Sequence, residues 1–239
     1  METAVTAPPA SDYYTRIANP LHTILVLAAQ GGLAFRAMVR VDQMRTAANV
    51  DRVQIYERTI FFQLLMFALV ILGVWLSGSP LATVLGDRWR SIREVLRDAG
   101  IGLAFLIVSV MLGSIIGSHA QGDAPSRAVQ FLFPHGGVEI ALWILVSVTA
   151  GICEEAIYRG YLQRQFMALT KNASLGIILS AAVFGVSHAY QGFGHAIQIG
   201  LLGAMSGILA FWRKSVRPGM IAHALQDILG GLLAGRMGH

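Results

Sequence analysis

The sequence predicts an all-α fold, a polytopic membrane helix bundle of about seven to eight helices. Hydrophobic residues make up 55% of the 239-residue chain and charged residues only 13%, whereas a soluble domain of this length carries about 25% charged residues. The mean hydropathy is +0.60, and apolar stretches of about 20 residues, the length that crosses a bilayer, recur along the chain. We therefore predict a single membrane-embedded domain over residues 1–239, multi-pass and integral to the membrane.

The apolar stretches give about seven predicted spans. The clearest, residues 59–78, contains no charged side chain, whereas the first is interrupted near its end by Arg36. In chain order the predicted spans are residues 21–39, 59–78, 101–119, 138–153, 173–188, 196–212 and 220–235.

Residues 81–98 lie between two of these spans and alternate basic with apolar side chains, as in Arg88-Trp89-Arg90 and around Leu96. Such a pattern is typical of an amphipathic helix lying in the membrane interface. An ordinary solvated loop helix has the same composition, and the two interpretations are open at this stage.

Glycines recur at a spacing of four within the predicted spans, which lets helix backbones approach closely where lipid provides no hydrophobic drive between helices. The pattern predicts either a compact bundle or a homodimer face. The pairs are Gly113 with Gly117, Gly203 with Gly207, and Gly231 with Gly235.

The formal net charge of +5 belongs mainly to segments between predicted spans. Basic loops are typical of the cytoplasmic side of a membrane protein, so the charge does not indicate nucleic-acid binding. This rule places two basic connections in the cytoplasm, one with Arg159, Arg164 and Lys171 and the other with Arg213, Lys214 and Arg217. The N-terminal half is inconsistent, because residues 40–58 and 88–97 are both basic and flank one span. Either one of them breaks the rule or residues 21–39 do not span.

Ionisable residues within apolar helices are costly and usually functional, and this chain places several after residue 153. The first group is Glu154-Glu155-Ala156-Ile157-Tyr158-Arg159. Glu155 and Arg159 are four residues apart and can form an ion pair on one helix face. Successive helical residues point about 100° apart, so Glu154 faces a different partner and is a candidate general base. A solvated charge cluster at a helix end is the alternative.

Two further groups carry histidines. His188 ends the apolar segment Phe184-Gly185-Val186-Ser187-His188, where a lone histidine is more often a hydrogen-bonded core residue than a catalyst. His223 and Asp227 lie four residues apart in the last predicted span, so they share one helix face. Asp227 can accept a proton from one ring nitrogen and fix the tautomer of His223, or the pair can simply join helices.

The three groups in this order, EExxxR, FxxxH and HxxxD on membrane helices, resemble the CAAX prenyl protease and bacteriocin-processing (CPBP) family. These proteins are intramembrane glutamic endopeptidases, also described as abortive-infection-type membrane proteins. The resemblance covers residues 143–235, and the motif-bearing core spans about residues 138–235. It implies an endopeptidase that uses glutamate-activated water on a membrane-associated protein or peptide, with prenylated CAAX-type proteins as one candidate class.

The resemblance also implies a role for each site residue. Glu154 is the base that activates water, aided by His188, and Glu155 holds the site together through Arg159. His223 and Asp227 correspond to the pair that stabilises the oxyanion. Eukaryotic prenyl proteases have Asn at the last position, and an ionised Asp227 cannot donate a hydrogen bond. Either Asp227 is protonated, or it orients His223 and the histidine donates alone.

No cofactor or metal ion is predicted, because the resemblance favours metal-free glutamate catalysis. The chain has no HExxH motif, although Glu154, His188 and His223 are the residue types of a His2Glu zinc site. The expected partners are a membrane-associated substrate and the lipid bilayer, not nucleic acid, and the expected location is the plasma (inner) membrane if the source is bacterial. The alternatives in other functional classes are a non-catalytic immunity or scaffold protein and a proton-coupled transporter.

Overall fold

The computed structural model describes residues 13–45, 49–119 and 129–237, and within these ranges it contains eight helices and no strand. This confirms the prediction of an all-α polytopic bundle. The helices are α1 (Pro20–Arg45), α2 (Arg52–Leu76), α3 (Ala82–Leu85), α4 (Ile92–His119), α5 (Gly137–Thr170), α6 (Ala173–Ser187), α7 (Phe193–Arg213) and α8 (Arg217–Met237). Short 3-10 turns lie at Gln130–Leu132 and Ala189–Gln191.

Within the described residues, five helices are long and apolar enough to cross a membrane, namely α1, α2, α4, α5 and α7. The protein is therefore an integral membrane protein. Helix α6 is apolar but shorter. Helix α8 is less apolar because it carries His223, Gln226 and Asp227, and it packs against α4 and α5. The polar side chains of α8 thus lie within the bundle.

Helix α5 differs most from the prediction, because the span expected to end at residue 153 continues to Thr170. It is α-helical over Gly137–Glu154, π-helical over Glu155–Leu162 and α-helical again over Gln163–Thr170. Every residue of the π-helical segment is buried. The charge pattern predicted that Arg159 belongs to a cytoplasmic loop. The structure instead places it inside a buried helix. Its charge is tolerated inside the helix because Glu155 pairs with it.

The α1 helix is fastened to this buried segment by polar contacts. The hydroxyl of Tyr161 lies 2.7 Å from His22 Nδ1 and 3.1 Å from Thr23 Oγ1. Gln165 Nε2 donates to Thr23 Oγ1 at 2.7 Å. Because buried polar groups are costly unless they are paired, these contacts fix α1 against the middle of α5.

On α7, the glycines spaced four residues apart allow close packing against other helices of the same chain. A Cβ atom on Gly203 would meet Phe184 and Arg159, and one on Gly207 would meet Gln163. These close approaches bring α7 against α6 and the π-helical segment. Gly231 is likewise covered by Trp143, whereas the surroundings of Gly117 and Gly235 lie outside the described part of the chain.

The prediction of one helix over residues 81–98 is wrong in both of its forms. Helix α3 ends at Leu85, Gly86 follows with φ +79°, and the chain is not helical again until Ile92 begins α4. Asp98, in the second turn of α4, is buried and accepts hydrogen bonds from Trp89 Nε1 at 2.8 Å and Arg213 Nη2 at 3.1 Å. This charge pair holds the non-helical segment against the end of α7.

Hydrogen bonds gather the connections 77–91, 171–172 and 214–216 at one end of the bundle, which we call the basic end. Arg164 donates to the carbonyl of Thr83 and Arg217 to that of Gly86. Helix α2 runs from Arg52 to Leu76, so residues 49–51 lie at its other end, away from the basic end. Helix α1 is also long and apolar enough to span. In the predicted orientation, residues 40–58 are thus the basic stretch that departs from the positive-inside rule.

Candidate active site

Glu155 is the most enclosed carboxylate of the candidate site and begins the π-helical segment. Its side chain is 2% exposed, and Oε1 lies 3.1 Å from Arg159 Nη1. Ser206 Oγ donates a hydrogen bond to Oε2 at 2.6 Å. The spacing of Glu155 and Arg159 predicted this ion pair, and the serine on α7 completes the enclosure. A buried carboxylate with these partners is held as an anion in a fixed position.

His223 links Glu155 to the rest of the site. Its Nδ1 lies 3.3 Å from Glu155 Oε1, and its Nε2 lies 3.5 Å from Asp227 Oδ2. A carboxylate can only accept a hydrogen bond, so Nδ1 carries a proton toward Glu155. The contact with Asp227 then requires a second proton, either on Nε2 or on Asp227. The geometry is therefore compatible with a protonated Asp227 and with an ionised Asp227 that orients a protonated His223.

Glu154 lies apart from this ion pair and faces both histidines. Its Oε2 atom is 3.9 Å from His188 Nε2 and 3.9 Å from His223 Nε2. The oxygen is buried and accepts no hydrogen bond from the described residues. These separations exceed a direct hydrogen bond and match groups that share a small polar molecule between them.

The orientation of His188 follows from its place at the C-terminal end of α6. Its Nδ1 lies 2.9 Å from the carbonyl oxygen of Phe184, which can only accept, so Nδ1 carries the proton. A neutral ring then presents the lone pair of Nε2 toward Glu154. Tyr190, in the 3-10 turn after α6, stacks on the imidazole with ring centroids 6.0 Å apart. Burial raises the pKa of Tyr190 to about 12, so its hydroxyl stays protonated at neutral pH.

Glu154, Glu155, Arg159, His188, His223 and Asp227 all line one cavity of about 520 Å³. The structure thus brings together every site residue predicted from the sequence. The cavity walls include Tyr56 from α2, three residues before α5 (Val129, Leu132 and Phe133) and the turn after α6. None of the connections that form the basic end lines it.

Sequence reasoning missed several side chains that position the predicted residues. The guanidinium carbon of Arg159 lies 4.2 Å from the ring centroid of Phe184, a cation–π contact that supplements its ion pair. Tyr158 donates to Ser187 Oγ at 3.0 Å and accepts from Gln30 Nε2 at 3.0 Å. This chain of hydrogen bonds connects α1 to the residue next to His188. Phe184 was visible within the FxxxH pattern, whereas Ser206 and Gln30 had no sequence signal.

Within the described part of the chain, no group of three or more histidine, cysteine, aspartate or glutamate side chains is arranged to hold a metal ion. Cys153, the only cysteine, is buried next to Glu154 in the chain. A buried cysteine of this kind behaves as a small apolar side chain.

Comparison with protein families gives a match to the family described as type II CAAX prenyl endopeptidase Rce1-like, over residues 136–229. Residues 136–229 are thus similar to this family. The chain has no match among curated proteins or among solved structures.

The matched segment begins at the residue before α5 and ends in α8 just beyond Asp227. It therefore contains both glutamates, Arg159 and both histidines of the site. The matched family is one of type II CAAX prenyl endopeptidases, in agreement with the resemblance noted from the sequence. Helices α1, α2 and α4 lie outside the matched segment, yet α2 and α4 contribute cavity walls.

Proposed function

We propose that this protein is an intramembrane glutamic endopeptidase that hydrolyses a peptide bond in a membrane-associated protein or peptide, with prenylated CAAX-type substrates as the first candidates. The observation that supports this most directly is the position of Glu154. A buried carboxylate oxygen, which receives no hydrogen bond from the described part of the chain, faces two histidine nitrogens at equal distances of 3.9 Å. A water molecule bound between these three groups would be next to a base.

In the proposed first step, the oxygen of this water attacks the carbonyl carbon of the substrate, and Glu154 takes one of its protons. His188 accepts a hydrogen bond from the same water through Nε2 and so directs its lone pair toward the carbonyl. General-base assistance of this kind typically contributes about 10²–10⁴-fold to the rate. The large cavity next to Glu154 provides room for the peptide.

The attack produces a tetrahedral intermediate with a negative oxygen. In the proposed site, His223 stabilises it through an Nε2–H group, while Glu155 holds the opposite ring nitrogen at 3.3 Å. Asp227 orients the same ring and does not itself donate when ionised. The carbon–nitrogen bond then breaks, and the proton held by Glu154 passes to the leaving amine. The products are a peptide with a new carboxylate and a peptide with a new amine.

The direct test is cleavage of a fluorogenic prenylated CAAX peptide by purified protein in detergent. Glu154→Gln keeps the size of the side chain but removes the base, and we expect a loss of about 10²–10⁴-fold in kcat. Glu57→Gln is the matched control, because Glu57 is an exposed glutamate on α2 that does not line the cavity. Equal cleavage by wild type and Glu154→Gln would contradict the glutamate mechanism.

The same cleavage assay with a chelator tests whether the activity requires a divalent metal ion. Activity that survives removal of divalent metal and disappears with Glu154→Gln is the expected result. Activity lost on chelation and restored by zinc would assign Glu154, His188 and His223 to a metal site. If no peptide in a broad panel is cleaved, the endopeptidase proposal fails. The scaffold and transporter functions would then be tested by partner capture and by proton flux in liposomes.

A further inference from the structure

A second cavity, of about 280 Å³, lies between α1 and α2 and reaches the candidate site from another side. It meets the larger cavity at a shared wall that includes Glu154, His188 and Tyr190. A substrate whose scissile peptide bond lies at Glu154 can therefore place the chain on one side of the bond in the larger cavity and the chain on the other side in this smaller one. We call the smaller one the α1–α2 cavity.

The walls of the α1–α2 cavity are mostly apolar, but three arginines line it: Arg36 and Arg40 from α1 and Arg58 from α2. Among the described residues that line it, Glu154 is the only carboxylate. Asp42 and Glu57, on the same two helices, are exposed and do not line it. Among the described residues, no ion pair joins any of these arginines to a carboxylate.

Unpaired arginine is costly in an apolar helix and usually has a function there. Arg36 lies within α1, whose neighbouring side chains Phe35 and Val39 are exposed apolar residues of a membrane span. The contact it does make is with an aromatic face, since its guanidinium carbon lies 5.2 Å from the ring centroid of Phe62. The described walls of the cavity therefore combine apolar side chains with positive charge, and Glu154, the proposed base, is the only acid among them.

We infer that the α1–α2 cavity binds the C-terminal residues of the substrate and that Arg36, Arg40 and Arg58 recognise its free terminal carboxylate. This inference rests on the proposed function. A CAAX sequence ends its protein, so a scissile bond near the modified cysteine leaves only a few residues before the terminal carboxylate. Guanidinium groups are well suited to that ligand because they donate two parallel hydrogen bonds to a carboxylate.

The size and composition of the cavity agree with such an occupant. Its volume of about 280 Å³ is at the lower limit of small-molecule sites, which are about 300–1,000 Å³. A few residues fit this space and a folded segment does not. Leu33, Val41 and Met66 offer apolar contacts to the side chains that precede the terminus. The larger cavity remains available for the chain on the other side of the scissile bond.

The test compares two peptides that differ only in their last group, a free carboxylic acid and a primary amide. Binding is measured with the Glu154→Gln protein in neutral detergent, so that the readout does not require cleavage. Charge-assisted hydrogen bonds contribute enough that we expect the acid to bind about tenfold or more tightly than the amide. Cleavage by the wild-type protein is measured on the same pair, with the difference expected in KM.

Arg40→Gln and Arg58→Gln, each added to the Glu154→Gln protein, should weaken binding of the acid and leave binding of the amide unchanged. Arg40→Lys keeps the charge and should restore part of the preference. The matched control is Arg93→Gln, because Arg93 is an exposed arginine near the basic end and lines neither cavity. Thermal unfolding of each variant identifies any that is misfolded, and the wild-type acid-to-amide comparison does not depend on a variant.

Equal affinity for the acid and the amide in the Glu154→Gln protein would overturn the inference. The same conclusion follows if the arginine variants lose affinity for both peptides alike, since the arginines would then support the fold. Preferential binding of the acid without cleavage by the wild-type protein would retain the carboxylate site and reject the protease. Cleavage of both peptides with equal KM would retain the protease and reject the carboxylate site.

Discussion

At the scale of single residues, Glu154 and Glu155 are chain neighbours with opposite surroundings. Glu155 has an ion pair with Arg159 and a hydrogen bond from Ser206, whereas the inward oxygen of Glu154 accepts no hydrogen bond from the described residues. A carboxylate with several partners is stabilised as part of the fold. One without a partner is available for chemistry, at a cost to the fold.

This difference predicts opposite effects of the two isosteric substitutions on stability. Glu155→Gln leaves the buried Arg159 without its ion-pair partner and should lower the free energy of unfolding by about 3–5 kcal/mol. Glu154→Gln removes no hydrogen bond to a described residue, so stability should be unchanged or slightly higher while activity is lost. Both are measured by unfolding in mixed detergent, with Glu57→Gln as control. A destabilised Glu154→Gln protein would assign Glu154 a structural role instead.

The sequence was informative about the site at this scale because ionisable residues in apolar helices are rare. That rarity identified Glu154, Glu155, Arg159, His188, His223 and Asp227 before any contact was known. It could not identify Ser206 or Gln30, because serine and glutamine also occur in membrane helices where they only support packing. Their positions depend on which helices become neighbours.

At the scale of helices, the spans were predicted more accurately than their ends. Apolar length identified α2, α4 and α7, but the predicted span ended at residue 153, and the basic residues Arg159 and Arg164 were placed in a connection between spans. The structure keeps them helical, and the π-helical segment Glu155–Leu162 buries that charge. A π-helix has no clear sequence signature, and such segments are often found at functional sites.

The contact between α5 and α8 sets the distance from Glu155 to His223. A Cβ atom on Gly151 would lie 2.7 Å from the carbonyl oxygen of Met220 and 2.9 Å from the backbone nitrogen of Ala224. Backbone atoms cannot rotate away as a flexible side chain can, so α8 must shift. Because His223 lies between these two positions, the shift would move its imidazole away from the glutamates.

We therefore expect Gly151→Ala to abolish most of the activity while costing about 1–3 kcal/mol of stability, the usual range for overpacking. Gly100→Ala on α4 is the control, since nothing lies within 4 Å of its added Cβ atom. Activity is compared at equal amounts of folded protein, as judged by size-exclusion chromatography. A fully active Gly151→Ala protein would show that the spacing of α5 and α8 does not control the site.

At the scale of the whole molecule, the bundle has two unlike ends. The basic end comprises residues 77–91, 171–172 and 214–216, whereas both cavities are lined by residues near the opposite end, including Leu132 and Tyr190. The sequence predicted this charge asymmetry for the C-terminal half only. For the N-terminal half the sequence could not decide which basic stretch breaks the charge rule, because the answer depended on whether residues 21–39 span. In the structure, α1 is long and apolar enough to do so.

The positive-inside rule predicts that the basic end faces the cytoplasm, and thiol labelling can measure this because Cys153, the only native cysteine, is buried. Asp87→Cys reports the basic end and Asn49→Cys the other, and both positions are exposed. A membrane-impermeant maleimide applied to intact cells or right-side-out vesicles should label Asn49→Cys alone, with permeabilised membranes as the control.

This result would place the cavities toward the non-cytoplasmic side, which favours a membrane-protein or exported peptide substrate. Labelling of Asp87→Cys alone would contradict the charge rule and open the cavities toward the cytoplasm, where a prenylated protein is the better substrate to test.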